Sequence, residues 1–346
     1  FFCNTCALFY YLAYRIRLLW HNLRQNSMHV PGFSCIMISE VKYMEVIKVV
    51  PRGYCKGVIN AILIAKKTAQ EHPDTPIYVL GMLVHNSYVM QALKELHIYP
   101  VDDKNKTRLE LLDEIEEGIV IFTAHGISPA VKEKALRKGL QCVDASCPDV
   151  VKTQDIVMEQ LKNGCDVLYI GKPRHPEAEA VLSLSEKVHL ISTQQDLDTL
   201  PPLAQVFVTN QTTMSIFDIE ALFEAIRERY PKAVFCEEIC NATRIRQQAV
   251  ADLKDKQIDV LYVVGDRYSN NSNRLAQIAR DQGINQVYLI DDVNDIQDEQ
   301  LCNAGRVAVT SGASTPTYLT AQVIAYLEDY APGKCKPQIR LSEILS

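Results

Sequence analysis

The stretch Val49-Val50-Pro51-Arg52-Gly53-Tyr54-Cys55 is the end of an apolar run that turns through glycine and stops on a cysteine, just ahead of a helical pattern. Two further stretches repeat that arrangement: Val143-Asp144-Ala145-Ser146-Cys147-Pro148, and Phe235-Cys236-Glu237-Glu238-Ile239-Cys240-Asn241. Cys147 lies 92 residues after Cys55, and Cys240 a further 93. One cysteine per third of the chain, at an equivalent point, is how a fold with internal three-fold symmetry places three ligands around one axis. A site of three thiolates on an axis suits an iron–sulfur cluster with one iron open for chemistry.

Other patterns keep the same register. Strand-then-glycine segments recur as Ile77-Tyr78-Val79-Leu80-Gly81, Val167-Leu168-Tyr169-Ile170-Gly171 and Leu261-Tyr262-Val263-Val264-Gly265, their glycines 90 and 94 residues apart. Polar loops follow each: His85-Asn86, His175-Pro176-Glu177, and Ser269-Asn270-Asn271. A third set of strands ends in Thr123-Ala124-His125-Gly126, Asn210-Gln211-Thr212-Thr213 and Thr310-Ser311-Gly312-Ala313-Ser314. Repeats of this length are whole domains, since solenoid units run to only about 20–50 residues.

Between Met44 and Leu327, Val/Ile-rich runs alternate with helical periodicity, the pattern of βαβ units and parallel sheets. After Cys55, for example, Val58, Ile62, Ala65 and Ala69 stand at helical spacing. Pro148 follows Cys147 as a first-turn proline does. The expectation is an α/β protein of three similar domains with mainly parallel sheets: residues 44–146 carrying Cys55, 147–239 carrying Cys147 and 240–330 carrying Cys240. Each cysteine then sits at a strand-to-helix turn on the C-terminal edge of a sheet, where α/β proteins bind ligands. The polar tail 331–346 is expected to wrap the surface. Residues 1–43 read as an extension outside the fold: the apolar run Cys6–Tyr14 breaks at Arg15, well short of the roughly 20 residues that span a bilayer.

Composition narrows the function. With 47% apolar residues and a net charge of −6, the chain is globular and lacks the basic surface of a nucleic-acid-binding protein. No other run is long enough to span a membrane, so a cytoplasmic protein is expected. Eleven widely spaced cysteines are an odd count and no disulfide framework. Cys142, Cys165, Cys236 and Cys302 read as small buried hydrophobes. Structural zinc prefers four ligands in close pairs, which the three register cysteines do not supply.

His85, His125 and His175 all follow strand ends and converge with the cysteines on one cavity. Ring N–H groups there suit an anion, a diphosphate above all. Ser269, Asn271, Ser314 and Thr212 add donors. Glu177 is the carboxylate of these loops, and a carboxyl in a closed cavity makes a proton donor. The chain has neither GxxxxGK[ST] nor GxGxxG after a first strand, so nothing points to a nucleotide cofactor.

These motifs, together with Val84-His85-Asn86, Cys240-Asn241-Ala242-Thr243, Ser272-Asn273-Arg274-Leu275 and Gly312-Ala313-Ser314, resemble the 4-hydroxy-3-methylbut-2-enyl diphosphate reductase family, from about Met44 to Leu327. The resemblance implies a three-domain trefoil around a 4Fe–4S cluster on Cys55, Cys147 and Cys240. It implies reductive removal of the substrate hydroxyl as the last step of the non-mevalonate isoprenoid pathway. His85, His125, Ser269, Asn270, Asn271 and Ser314 would hold the diphosphate, while His175, Glu177 and Thr212 handle the hydroxyl and its proton. Ferredoxin or flavodoxin would supply electrons. Asn270 stands where many relatives carry Ser, and Arg174 and Ala180 where many carry Gly; a cation at Arg174 is expected to act on Glu177. A quinolinate-synthase-like cluster enzyme and a non-catalytic cluster sensor are the alternatives.

Overall fold

The computed structural model describes residues 44–103 and 105–346; the extension expected over residues 1–43 lies outside them, apart from Lys104 the only stretch that does. Among the described residues twelve strands form three four-stranded sheets, every pairing parallel. The strands are β1 Glu45–Lys48, β2 Ile77–Leu80, β3 Ile98–Val101, β4 Ile119–Phe122, β5 Gln141–Asp144 and β6 Asp166–Ile170. They continue as β7 Val188–Ile191, β8 Val206–Asn210, β9 Val234–Phe235, β10 Val260–Val264, β11 Gln286–Ile290 and β12 Arg306–Ser311.

The first sheet runs β3-β2-β4-β5, the second β7-β6-β8-β9 and the third β11-β10-β12-β1. The same order three times over is the three-fold repeat. Central strands read Ile119-Val120-Ile121-Phe122 or Val260-Leu261-Tyr262-Val263-Val264 and are buried throughout, as strands covered on both faces must be. The first strand departs from the contiguous thirds of the sequence reading: β1 joins the third sheet, where Val46 pairs with Val307 and Lys48 with Val309. Each cysteine therefore follows the edge strand of one sheet and opens a helix leading into the next. Cys55 runs from the third sheet to the first, Cys147 from the first to the second, and Cys240 from the second to the third.

The helix Lys56–Glu71 shows why Cys55 is held firmly. Its Val58, Ala61, Ile62 and Ala65 are buried in one cluster with Ile121 of the first sheet and Val309 of the third. The tail does more than wrap the surface. Ile344 is fully buried in that same cluster, its carbonyl accepts the Tyr54 hydroxyl at 2.7 Å, and the Leu345 carbonyl accepts Lys66 Nζ at 3.1 Å. Ile339, Leu341 and Leu345 pack against the same cluster, so a few apolar residues spaced through a polar run dock it. Among the expected small buried cysteines, Cys165 is buried, Cys142 and Cys236 are half-buried, and Cys302 is exposed beside the turn Asp298–Gln300.

Candidate active site

Nine loops, three per sheet, meet at the C-terminal ends of the strands. In each sheet only the outer edge strands β3, β7 and β11 contribute nothing. One cavity there is lined by all three register cysteines, all three register histidines, Glu177, Thr212, Ser269, Asn270, Asn271 and Ser314. The structure thus brings together every residue that the sequence nominates.

The backbones of the three cysteines are held in the same way. Cys55, Cys147 and Cys240 are the N-caps of the helices Lys56–Glu71, Pro148–Lys162 and Asn241–Ala251, all with extended backbone. Each N–H donates to a carbonyl in the neighbouring strand's loop: Cys55 to Ala313 at 2.9 Å, Cys147 to Ala124 at 3.0 Å, and Cys240 to Thr212 at 3.0 Å. Three helix N-termini aim their partial positive charge at one point, which favours thiolates over thiols. Burial works the other way at two of them and pushes the Cys147 thiol up to about 11 and the Cys240 thiol up as well. A cation bound there would favour the thiolates by replacing those protons.

The residues fit an iron–sulfur cluster. All three thiols are free, and Gly57 provides the room: a Cβ there would lie 2.6 Å from Cys147 Sγ and 3.9 Å from Cys55 Sγ. Among the described residues no three His, Cys, Asp or Glu side chains gather as ligands of a single ion. A cluster whose thiolates bind separate irons needs a wider spacing. Among the described residues no fourth cysteine lines the cavity; its remaining wall includes Glu177, Thr212 and the histidines.

The histidine rings form a triangle, with centroids 4.2 Å apart for His85–His125, 5.4 Å for His85–His175 and 5.6 Å for His125–His175. Burial, then the charge of Arg108, lowers the His85 pKa to about 4. Burial and the neighbouring rings hold His125 well below its ordinary value, and burial followed by His85 does so for His175. All three are neutral donors near pH 7. His175 Nδ1 accepts the Glu177 N–H at 3.2 Å as a helix cap, which puts the ring proton on Nε2. Four buried polar atoms at or beside the cavity have no partner: His85 Nε2, Asn271 Oδ1 and Nδ2, and Ser272 Oγ. Unsatisfied buried donors in one place mark a polar ligand's seat.

Glu177 is 1% exposed. Its carboxylate accepts the Thr212 N–H at 2.7 Å, the Thr212 hydroxyl at 3.0 Å and the Tyr169 hydroxyl at 3.3 Å. Burial raises its pKa to about 7, outweighing the three hydrogen bonds that pull it down. Asp149, and not Arg174, is the neighbouring charge that acts on it. Arg174 is exposed, in left-handed backbone with φ 58°, at the third position of a turn closed by His175 N–H to the Lys172 carbonyl at 3.2 Å.

Two expected donors are already engaged. Ser314 Oγ donates to the His85 carbonyl at 3.0 Å, and Asn270 Nδ2 to the Thr213 carbonyl at 3.0 Å. They tie loops of different sheets together, which leaves Asn271 as the freer amide.

Sequence reading missed three groups. Arg108 braces the His125 loop by donating to the Gly126 carbonyl at 2.8 Å and Thr123 Oγ1 at 3.1 Å. Asp266, 5% exposed, accepts the Ser87 N–H at 3.0 Å and so pins the His85 loop to the third sheet. Arg246 is buried behind the cysteines. A charged residue in a helical or loop pattern reads as solvated, and only Arg246, in step with Thr243 and Val250, carried a periodic signal.

Known proteins share this architecture. Residues 46–328 match the family model described as LytB protein. The 4-hydroxy-3-methylbut-2-enyl diphosphate reductase of Anoxybacillus flavithermus is 47% identical over 310 residues, covering 87% of this chain and 98% of that relative. The reductase of the same name from Geobacillus thermodenitrificans is 48% identical over 293 residues, covering 84% and 92%. The solved structure of E-1-hydroxy-2-methyl-but-2-enyl-4-diphosphate reductase from Plasmodium falciparum superposes with a TM-score of 0.77 at 28% identity, covering 88% of this chain and 97% of that one. Matching sequence over nearly the whole described chain, and matching fold, place the chain in the LytB family.

Proposed function

We propose that the chain reductively dehydroxylates (E)-4-hydroxy-3-methylbut-2-enyl diphosphate to isopentenyl and dimethylallyl diphosphates, as a cytoplasmic enzyme ending the non-mevalonate pathway. One observation carries this: three free cysteines, three neutral histidines and a carboxyl poised near neutrality line one cavity. No helix among the described residues is long and apolar enough to cross a membrane.

Cys55, Cys147 and Cys240 would hold a 4Fe–4S cluster, which when bound supplies single electrons and a Lewis-acidic open iron. The reaction breaks one allylic C–O bond, takes up two electrons and two protons, and releases water. His85, His125, Ser269 and Asn271 present N–H and O–H donors to the diphosphate, with Asn270 and Ser314 fixing the loops around it. His175 aims its Nε2–H into the cavity. Glu177, its pKa raised to about 7 by burial, gives a proton to the leaving oxygen, and the Thr212 hydroxyl that it orients sits beside that transfer. Ferredoxin or flavodoxin is the proposed electron donor.

The test is anaerobic reconstitution with iron-57 and sulfide, then Mössbauer spectra with and without the diphosphate, followed by turnover with reduced ferredoxin. One distinct iron whose signal shifts on adding the diphosphate, with both isoprenoid products formed, is expected. A cluster that ignores the diphosphate overturns the assignment.

Proton linkage gives a second expectation. Neutral rings beside a multiply charged anion gain proton affinity, so diphosphate binding should take up protons and weaken as pH rises from about 4, where free His85 loses its proton, toward the higher pKa of the bound state. Calorimetry in two buffers of different ionisation heat reads this directly. Heats that do not depend on the buffer would mean that the rings bind only as neutral donors.

A further inference from the structure

Arg246 lies on the helix that Cys240 caps, in a buried stripe with Thr243, Gln247 and Val250. It is 3% exposed. Its Nη1 donates to the Ala242 carbonyl at 2.9 Å and its Nη2 to the Gly53 carbonyl at 2.9 Å, while Nε has no partner. Gly53 belongs to the turn that delivers Cys55, so the guanidinium bridges two cysteine-bearing segments from different sheets. No carboxylate pairs with it among the described residues. Burial lowers the Arg246 pKa, and the charges that oppose this are those of Cys55 and Cys240 as thiolates. A buried guanidinium stays charged and needs an anion, because leaving one unpaired is strongly destabilising.

We infer that Arg246 is the counter-ion of the three-thiolate centre: a positioning residue that holds the Cys55 and Cys240 segments at a fixed separation and offsets the negative charge of the loaded site. This rests on the proposed cluster. Its consequence is that a fixed cation near the centre favours the reduced, more negative state and raises the reduction potential. A second consequence concerns folding. Without the anionic centre the guanidinium is an uncompensated buried charge that weakens the fold, and with it the same charge strengthens the fold.

The experiment compares wild type, Arg246→Lys and Arg246→Gln, each cluster-free and reconstituted. Spectroelectrochemical titration is expected to move Arg246→Gln to a more negative midpoint. The expected size is about a tenfold lower reduced-to-oxidised ratio at fixed potential, which is about 59 mV for a one-electron couple. Arg246→Lys should stay near wild type. In thermal melts, the gain in melting temperature on loading should shrink in Arg246→Gln and be kept in Arg246→Lys. A purely structural tie predicts equal losses in both forms and an unmoved potential, and that result overturns the inference. If Arg246→Gln does not fold, Arg246→Lys decides: a midpoint or loading gain that falls despite the retained charge overturns the counter-ion role. Failure of every form, wild type included, to take up iron would instead count against the cluster itself.

Discussion

Replacing Glu177 by Gln is expected to lower turnover by roughly 10²- to 10⁴-fold, the range for loss of a general acid, while leaving the cluster spectrum of the reconstituted protein unchanged. The substitution is nearly isosteric, and its amide oxygen can still accept from Thr212 N–H and the Tyr169 hydroxyl, so the loop should hold its shape. What disappears is the proton. In the wild type, the same raised pKa makes the rate fall as pH climbs past about 7, where the acid form is lost. Stability should fall with pH as well. An unfolded Glu titrates near its ordinary value and the folded one near 7, so the fold binds that proton more tightly and is penalised where Glu177 must ionise. The penalty is absent below the unfolded pKa, grows between the two values and is complete above the higher one, at roughly 3 kcal/mol. Glu177→Gln removes it. Cluster-free melts at alkaline pH should therefore show the variant more stable than wild type, with the gap closing in acid. Turnover retained within a few-fold would remove Glu177 from the chemistry, whatever the melts show.

That trade between acid strength and stability was partly visible in the sequence, and the boundary of what was visible has a physical reason. A periodic sequence reports which residues are equivalent. Cys55, Cys147 and Cys240, or the loops at His85, His175 and Ser269, could be matched because each follows the same strand-to-helix signal. It does not report which strand hydrogen-bonds to which. A three-fold repeat looks the same when every strand is assigned one sheet earlier, so β1 in the third sheet, closing the ring, was not legible. Buried charge was illegible for a different reason. Arg246 stands three residues from Thr243 and four from Val250 on the buried stripe, which is the signal that could have exposed it. Arg108 opens a helix of only four residues, Arg108–Leu111, too short for any periodicity to reveal its inward face. The expected effect of Arg174 on Glu177 failed on distance in space: neighbours in sequence point apart across a turn, while Asp149, 28 positions away, lies near enough to act.

Gly57 offers the sharpest test of whether the cysteines bind a cluster together. It is the second residue of the helix Lys56–Glu71, and its backbone is ordinary helix, so alanine there would normally stabilise by roughly 1 kcal/mol. Here the added Cβ would meet Cys147 Sγ at 2.6 Å and Cys147 Cβ at 3.4 Å, with Cys55 Sγ at 3.9 Å. In the cluster-free chain the Cys147 side chain can rotate away, because a free thiol is the mobile end of a short chain. A sulfur bonded to iron has no such freedom, and the helix that carries Gly57 is anchored in the core through Ala61, Ile62 and Ala65. Gly57→Ala should therefore melt at or above the wild-type temperature when empty, yet reconstitute with several-fold less iron and lose its cluster absorbance faster in air. The opposite signs separate this from general damage, which would lower both. A variant that loads iron fully and keeps the wild-type spectrum would show that Cys147 ligates from a different rotamer, and the convergence of its sulfur with Cys55 across Gly57 would lose its meaning as a cluster site.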